Sequence, residues 1–365
     1  MHRLLRLLPL AALALAGCQH PAPAPPLAPT LASGQLHSPW DATPVALTDA
    51  PYDCGPIPHL SPDLTVTDDI DAPKRHVSED VKAAVYAESS AGVQDFYGRT
   101  VHASDAFRAT GSRAAARCTI AMLASAAADQ ALTGYMSSKY AWYEQNYALR
   151  AWAIAYLKVR PANLASPDQA TNITRYLDTL VRQERSHWEH SKCNSEICYI
   201  KGHRGMQTAM AAAAIGVAAN DQSLFHWTTS QYRSAAGEIN GRGMLHYDSL
   251  GHDAFICNLQ SAASMVQIAE FAEINGEPLY GYDNGSIHLL VHTVALGIVS
   301  PQPYAAYAHA SQDAPKTVEP WEIAWASVYN RRFPDPVVTG LLNQIGPVPV
   351  DMWGGDPWNP EGSGN

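Results

Sequence analysis

The residues able to do chemistry fall into three groups. Histidines come first: His187, His190 and His203 lie near one another along the chain, and His246 lies near His252. Neither set has the His-Glu-x-x-His spacing that puts two imidazoles on one helix face for zinc, so no metal or other cofactor is expected. Carboxyl groups come second. Hydrolysis of a glycosidic bond takes two carboxyls flanking it. Asp248 and Asp253 share one loop–helix junction, and Glu189 lies near the His203 segment. Thiols come third. Cys54, Cys118, Cys193, Cys198 and Cys257 form no pair of Cys-x-x-Cys knuckles, which argues against a zinc ribbon. Cys193 and Cys198 are close enough to close a small loop, Cys54 and Cys118 are the other natural pair, and Cys257 is left as a buried thiol. There is no phosphate-cradling glycine loop and no nucleophile-elbow serine; Gly241-Arg242-Gly243 is too short to count.

Helices must position these groups. From about Ser78 onward apolar residues recur at three- and four-residue intervals, and alternating β-branched runs are scarce. The pattern predicts helices over Glu79–Gly92, Asp95–Thr110, Ala114–Leu132, Tyr140–Val159, Pro167–Trp188, Arg204–Ala219, Asp221–Ala236, Asp253–Asn275, Ser286–Ile298 and Glu319–Tyr329. Thr171, Asp221 and Ser286 are residues of the kind found at helix starts, and Asn275 and Gly276 are natural stops. About ten helices with short links suggest an all-α (α/α) toroid, an incomplete α/α barrel, although no strict repeat is visible. Segments 64–80 and 236–251 read as irregular.

The 365 residues carry a formal charge of -10 and only 16% charged side chains. Nothing supplies a broad basic face, so nucleic acid is excluded as the main partner. The N-terminus reads as an export signal over residues 1–17: Arg3 and Arg6, then an apolar run too short to span a bilayer. Leu15-Ala16-Gly17-Cys18 resembles a lipoprotein cleavage site, which makes Cys18 a lipidation site. Gln19 after it points to the outer membrane, facing the periplasm, rather than inner-membrane retention. Residues 18–51 read as a Pro/Ala-rich tether, residues 52–345 as the globular domain, and residues 346–365 as a flexible tail that frays from Trp353. An exported chain meets an oxidising compartment, where the two cysteine pairs can form.

Several segments resemble the family 5 alginate (polymannuronate) lyases. They are Lys201-Gly202-His203-Arg204-Gly205-Met206 with Gly216–Trp227, Ala115–Leu123 after Gly111, Ala155–Val159, Phe271–Gly276, and Glu319-Pro320-Trp321. The matches keep their order from about residue 54 to 334. The resemblance implies an (α/α) toroid with a groove for an acidic polysaccharide, and it supports pairing Cys54 with Cys118.

The implied reaction is β-elimination. The C5 carboxylate of a 4-linked uronate must be neutralised, a base must take the C5 proton, and an acid must protonate the departing oxygen. Carried over residue by residue, the family's histidine falls on His203 and the asparagine before it on Gly202. The family's arginine falls on Asp253 and its tyrosine on Gln260, which share a helix face with Cys257 at i, i+4 and i+7. The lysine of the family's lid falls near Lys74 or Arg75. A groove tyrosine falls on Tyr143. These departures leave three readings open. In the first, a diverged polysaccharide lyase, His203 is base or carboxylate neutraliser and Tyr143 or Tyr247 is the acid. Lys74, Arg75 and Arg204 bind the sugar, with Trp142, Tyr247, Asp253 and Gln260 lining the groove, and Lys201 adds to its basic character. The second is a glycoside hydrolase using the carboxyls above. The third is a non-catalytic, polysaccharide-binding lipoprotein with Trp142, Trp188 and Tyr247 stacking on sugar rings. In each the partner is an acidic polysaccharide, the membrane is reached only through the lipid, and the chain is a monomer.

Overall fold

A computed structural model describes residues 34–66, 79–315 and 317–356, with the side chains of residues 79–83 left out. The signal segment, Cys18, Lys74 and Arg75 lie outside the described residues. Every regular element among the described residues is a helix, apart from isolated bridges. None of these helices is long and apolar enough to cross a membrane. The chain divides into two compact units.

The first unit comprises Gln35–His190, Met210–Thr228 and Val350–Asn365. It is built on α1 (Glu79–Thr110), α2 (Arg113–Ala128), α3 (Lys139–Val159) and α4 (Pro167–Glu189). The α1 helix is continuous where the sequence suggests a break at Gly92. A glycine inside a helix costs only about 1 kcal/mol, and burial of Phe96, Val101 and Phe107 outweighs it. Phe96 meets Trp152 of α3 edge to face, centroids 5.7 Å apart. Three serines start helices here by accepting a backbone N–H: Ser112 for α2, Ser138 for α3 and Ser166, in a capping box with Gln169, for α4. Thr171 therefore sits inside α4 and not at its start. The Cys54–Cys118 disulfide ties the entering chain to α2, with Cα atoms 5.5 Å apart.

Two expectations about the chain ends need correction in this unit. The tether is shorter than its composition suggests, because residues from Leu36 onward pack. Trp40 is 1% exposed, Leu36 N donates to Asn220 Oδ1 at 2.8 Å, and the Asp41 carboxylate pairs with Arg160. Thr48 N donates to Gly111 O at 2.8 Å. Gly111 has φ +73°, and a Cβ there would lie 2.0 Å from Ala46 O, so only glycine allows this approach. At the other end, Trp353 is buried with Arg150 over its ring at 4.1 Å. Lys158, itself buried and paired with Asp105, donates to Gly354 O at 2.6 Å. The Pro and Gly content of both segments signals an extended chain, and extended chain can still dock. Trp40→Ala is expected to lower stability by about 3–5 kcal/mol, as for other buried aromatic truncations, measured by denaturant unfolding.

Among the described residues, the second unit comprises Gly34, Ser191–Ala209 and Thr229–Pro349. Its helices are α7 (Ala254–Ile274), α8 (Ser286–Val299), α9 (Gln302–Ala308), α10 (Pro320–Ile323), α11 (Ala326–Arg332) and α12 (Pro336–Ile345). Helices α5 (His203–Ala219) and α6 (Gln222–Ala236) each contribute residues to both units. The predicted helix over Glu319–Tyr329 is two short ones, because the chain turns at Trp325, whose indole is buried and donates to Glu322 O at 2.8 Å. Helices α9 and α12 were not expected, being too short for a periodic signal. Glu270 on α7 holds Arg332 through two bonds of 3.0 and 3.1 Å and accepts from Tyr280 at 2.9 Å. This buried ion pair anchors α11 on α7.

Candidate active site

The clearest chemical constellation lies in the second unit, around the first turn of α5. It begins with a tight hairpin. Cys193 and Cys198 are disulfide-bonded with Cα atoms 3.8 Å apart, and Asn194 Oδ1 accepts from the backbone of Glu196 and Ile197. The hairpin presents Cys198 O, which accepts from both Lys201 N and Gly202 N at 3.0 Å. The chain then enters α5 at His203.

A helix start leaves backbone N–H groups without partners, and Asp248 supplies one. Asp248 belongs to a 3-10 turn, His246–Asp248. Its Oδ1 accepts from His203 N at 2.9 Å and lies 3.1 Å from His203 Nδ1. Its Oδ2 accepts from Ser261 Oγ at 2.6 Å. Asn258 fixes the same turn, donating to Asp248 O at 2.9 Å and accepting from Leu245 N at 2.8 Å. Ser261 and Asn258 both project from α7, so the carboxylate is aimed by a buried helix and not by a loose loop. Gly202 makes the approach possible, since a Cβ there would sit 2.7 Å from Asp248 Oδ1.

The sulfur of the half-exposed Cys257 of α7 lies within 4.8 Å of the His203 and Asp248 ligand atoms. Burial pushes the imidazole down, but the charge of Cys257 and hydrogen bonds to Asp248 and Cys257 outweigh it and lift it to about 10. The ring therefore holds its proton at neutral pH. The linkage has a definite sign. A raised imidazole stabilises the fold fully below its ordinary value of 6.5, and that contribution is lost as pH rises through about 10. Wild-type stability should therefore fall between these limits relative to His203→Gln, read as unfolding midpoints at a series of pH values.

His203, Asp248 and Cys257 offer ligand atoms within 4.8 Å of one another, the single such group among the described residues. A metal would have to displace bonds the carboxylate already makes. A carboxylate holding one face of an imidazole is also the arrangement that orients a histidine toward something else.

The other expected residues fall as follows. Asp248 is 3% exposed and committed to His203, so it is not a free carboxyl for hydrolysis. Glu189 pairs with Arg185 at 2.7 Å. Asp253 is exposed at the start of α7 and caps nothing with its side chain. Gln260 is half-buried on the same helix. Lys201 is exposed, its ammonium 5.5 Å from the Tyr247 ring centroid. Arg204 stacks over Tyr199 at 3.9 Å. His246 contacts Ser195 O at 2.9 Å and His252 contacts Ser311 O at 2.8 Å, so these two are tied to different loops. In the first unit, Trp142 and His187 stack at 3.9 Å and 11°. Tyr143, half-exposed, lies 6.1 Å from both Tyr140 and Trp188. Trp188 is buried and donates to Glu184 at 2.5 Å, so its indole N–H is used internally.

Sequence reading found His203 but missed what surrounds it. Cys257 was read as a buried thiol and is half-exposed, and Ser261 and Asn258 were not singled out. The available signal was the helical spacing of Cys257, Asn258 and Ser261, which puts all three toward one side of α7.

An all-helical scaffold that holds an imidazole at a helix start, its proton retained against burial, places the protein among all-α folds with a polar site at a helix N-terminus. More narrowly, the chain belongs to the alginate lyase family, whose model, Alginate lyase, matches residues 34–304. It is similar to a polysaccharide lyase of Stenotrophomonas maltophilia (strain K279a), with 28% identity over 257 residues, 69% of this chain and 74% of that protein. It is also similar to an alginate lyase of Azotobacter vinelandii, with 27% identity over 246 residues, 66% of this chain and 64% of that one. The match to an alginate lyase of Azotobacter chroococcum mcd 1 spans 58% of its length at 26% identity. Among solved structures, alginate lyase A1-III from Sphingomonas species A1 superposes with a TM-score of 0.71 at 21% identity, covering 91% of this chain and 92% of that one. The same lyase complexed with a tetrasaccharide gives the same TM-score. The expected fold class is thereby the observed one.

Proposed function

We propose that the chain is a polysaccharide lyase that cleaves alginate or a related 4-linked polyuronide by β-elimination. The observation that carries this reading is the His203–Asp248 pair at the start of α5, in a chain of the alginate lyase family. An imidazole lifted to about 10 is a cation at neutral pH. A cation is better suited to neutralise the C5 carboxylate than to take the C5 proton, which supports the first of these roles for His203. Lowering the charge on that carboxylate acidifies the C5 proton. Lys201 and Arg204 bring further positive charge to the same segment of an otherwise acidic protein. For the proton donor to the leaving oxygen, Tyr247 has the advantage of directly preceding Asp248 in the same rigid turn. Tyr143, Trp142, Asp253, Gln260, Lys74 and Arg75 are assigned to sugar binding in this reading.

The test is a panel of polymannuronate, polyguluronate, polyglucuronate, polygalacturonate and hyaluronan. Ultraviolet absorbance of the C4–C5 double bond is followed alongside reducing ends. Absorbance rising on one polymer establishes elimination and names the sugar. Reducing ends without absorbance make the protein a hydrolase, and binding without either makes it a sugar-binding protein.

We also propose outer-membrane anchoring through a lipid on Cys18. Support comes from the apolar run and the small residues before that cysteine. The mass of the N-terminal peptide from cells tests it: a diacylated Cys18 is expected, and an unmodified peptide starting elsewhere overturns it.

A further inference from the structure

The tripeptide Gly241-Arg242-Gly243, too short to cradle a phosphate, forms the tip of a tight hairpin between α6 and the His246–Asp248 turn. Ile239 and Leu245 pair across its base. Asn240 N donates to Met244 O at 3.0 Å, and Gly243 N donates to Asn240 O at 2.9 Å. Asn240 Oδ1 accepts from Arg242 N at 2.9 Å, a side-chain turn that asparagine favours. Three helices of the same unit hold the hairpin in place. Thr293 of α8 donates to Arg242 O at 3.0 Å. Asn258 of α7 accepts from Leu245 N at 2.8 Å. Asn240 Nδ2 donates to the hydroxyl of Tyr307, on α9, at 3.2 Å.

These bonds fix the backbone under one long side chain that is itself exposed. Arg242 forms no ion pair among the described residues, and its guanidinium carbon lies 5.5 Å from the Tyr307 ring centroid. A guanidinium over a ring uses its face there and keeps its N–H edge, a planar fork that matches a carboxylate. The half-buried Tyr307 hydroxyl accepts from Asn240 and still has its own proton to donate to a sugar oxygen. Asp248, which holds His203, is the sixth residue after Arg242. Six residues of chain span at most roughly 22 Å, so the fork and the imidazole are within reach of one oligosaccharide of a few rings.

We propose that Arg242 and Tyr307 form a further subsite for an acidic sugar residue, the Arg242 fork holding the carboxylate of a uronate farther along the chain from the one at His203. The identity of the polymer rests on the lyase reading, which this subsite deepens by naming a residue that selects charged sugar over neutral. Arg242 touches no reacting bond in this assignment. It binds, and the rigid hairpin keeps its fork in one place.

The experiment uses the full chain in a His203→Gln background, where turnover does not disturb a binding measurement. Isothermal titration is done with hexasaccharides cut from the five panel polymers, and with the best binder after its carboxylates are reduced to alcohols. Arg242→Gln and Arg242→Lys are compared with the background, with unfolding midpoints for each. Arg242→Gln should weaken the best acidic hexasaccharide by roughly 10- to 100-fold, the size of one charge-assisted contact, at an unchanged midpoint. Arg242→Lys keeps the charge and loses the fork, so its affinity should fall between the two. The reduced hexasaccharide should bind the background and Arg242→Gln alike. A folded Arg242→Gln that binds the acidic hexasaccharide within twofold of the background overturns the subsite, as does an equal loss on the reduced sugar. If neither the background nor wild type binds any of the hexasaccharides, the subsite is overturned too. Binding that depends on Arg242, in a chain whose wild type forms no double bond on any polymer, overturns the lyase reading and leaves the subsite standing.

Discussion

Alanine at His203 should abolish double-bond formation, with kcat falling by roughly 1,000-fold or more and little change in the amount of folded protein. The size follows from what the ring does. It brings a positive charge to a site walled by buried residues, where a charge acts with less screening than at an open surface. Its loss costs the fold less, because His203 N keeps its bond to Asp248 and the carboxylate keeps Ser261. About 1–3 kcal/mol is expected for leaving one side of the pair unfilled. Steady-state kinetics beside thermal unfolding checks both halves. Activity within a few-fold of wild type would remove His203 from the chemistry.

Asp248→Asn is the second large effect, and it separates charge from shape. The amide oxygen can still accept from His203 N, and the amide nitrogen can donate to Ser261, so the turn should fold. The imidazole, however, loses the buried anion that helps hold its proton. A fall in kcat of roughly 100-fold or more is expected, as when the acid behind a catalytic histidine is neutralised. A loss of about 1–3 kcal/mol is expected beside it, because a buried charge has lost its counter-charge. A variant that loses stability but keeps kcat would make Asp248 a helix cap and nothing more.

The helices were legible because burial on one side of a helix writes itself into the sequence every three to four residues. That held for α3 through α8, whose ends all lie within a residue of those predicted. It failed where local signals and tertiary packing disagree. Gly92 reads as a break and is not one, and the Pro-rich entry reads as free while Trp40 is buried. The site was half legible. His203 stood out through its neighbours in the chain. Asp248 and Cys257 came to it from elsewhere in the sequence, and no spacing rule links residues across a helix, a loop and another helix. What looked like three losses relative to the family pattern now has partial physical content. The glycine at 202 is the space Asp248 fills, and the glutamine at 260 sits a turn from a thiol. The aspartate at 253 is solvent-exposed and still has no explanation in its contacts.

Gly202 and Asp248 bear on how such a site can change over generations. The room for the carboxylate exists only because residue 202 lacks a side chain. An asparagine introduced at 202 alone would collide with Asp248, and a shorter residue at 248 alone would leave the imidazole without its acid. The two positions are coupled by this contact, so Gly202→Asn alone is expected to destabilise the turn. Among relatives, glycine at the first position and aspartate at the second should be gained and lost together. A double substitution should then recover folding that Gly202→Asn by itself has lost.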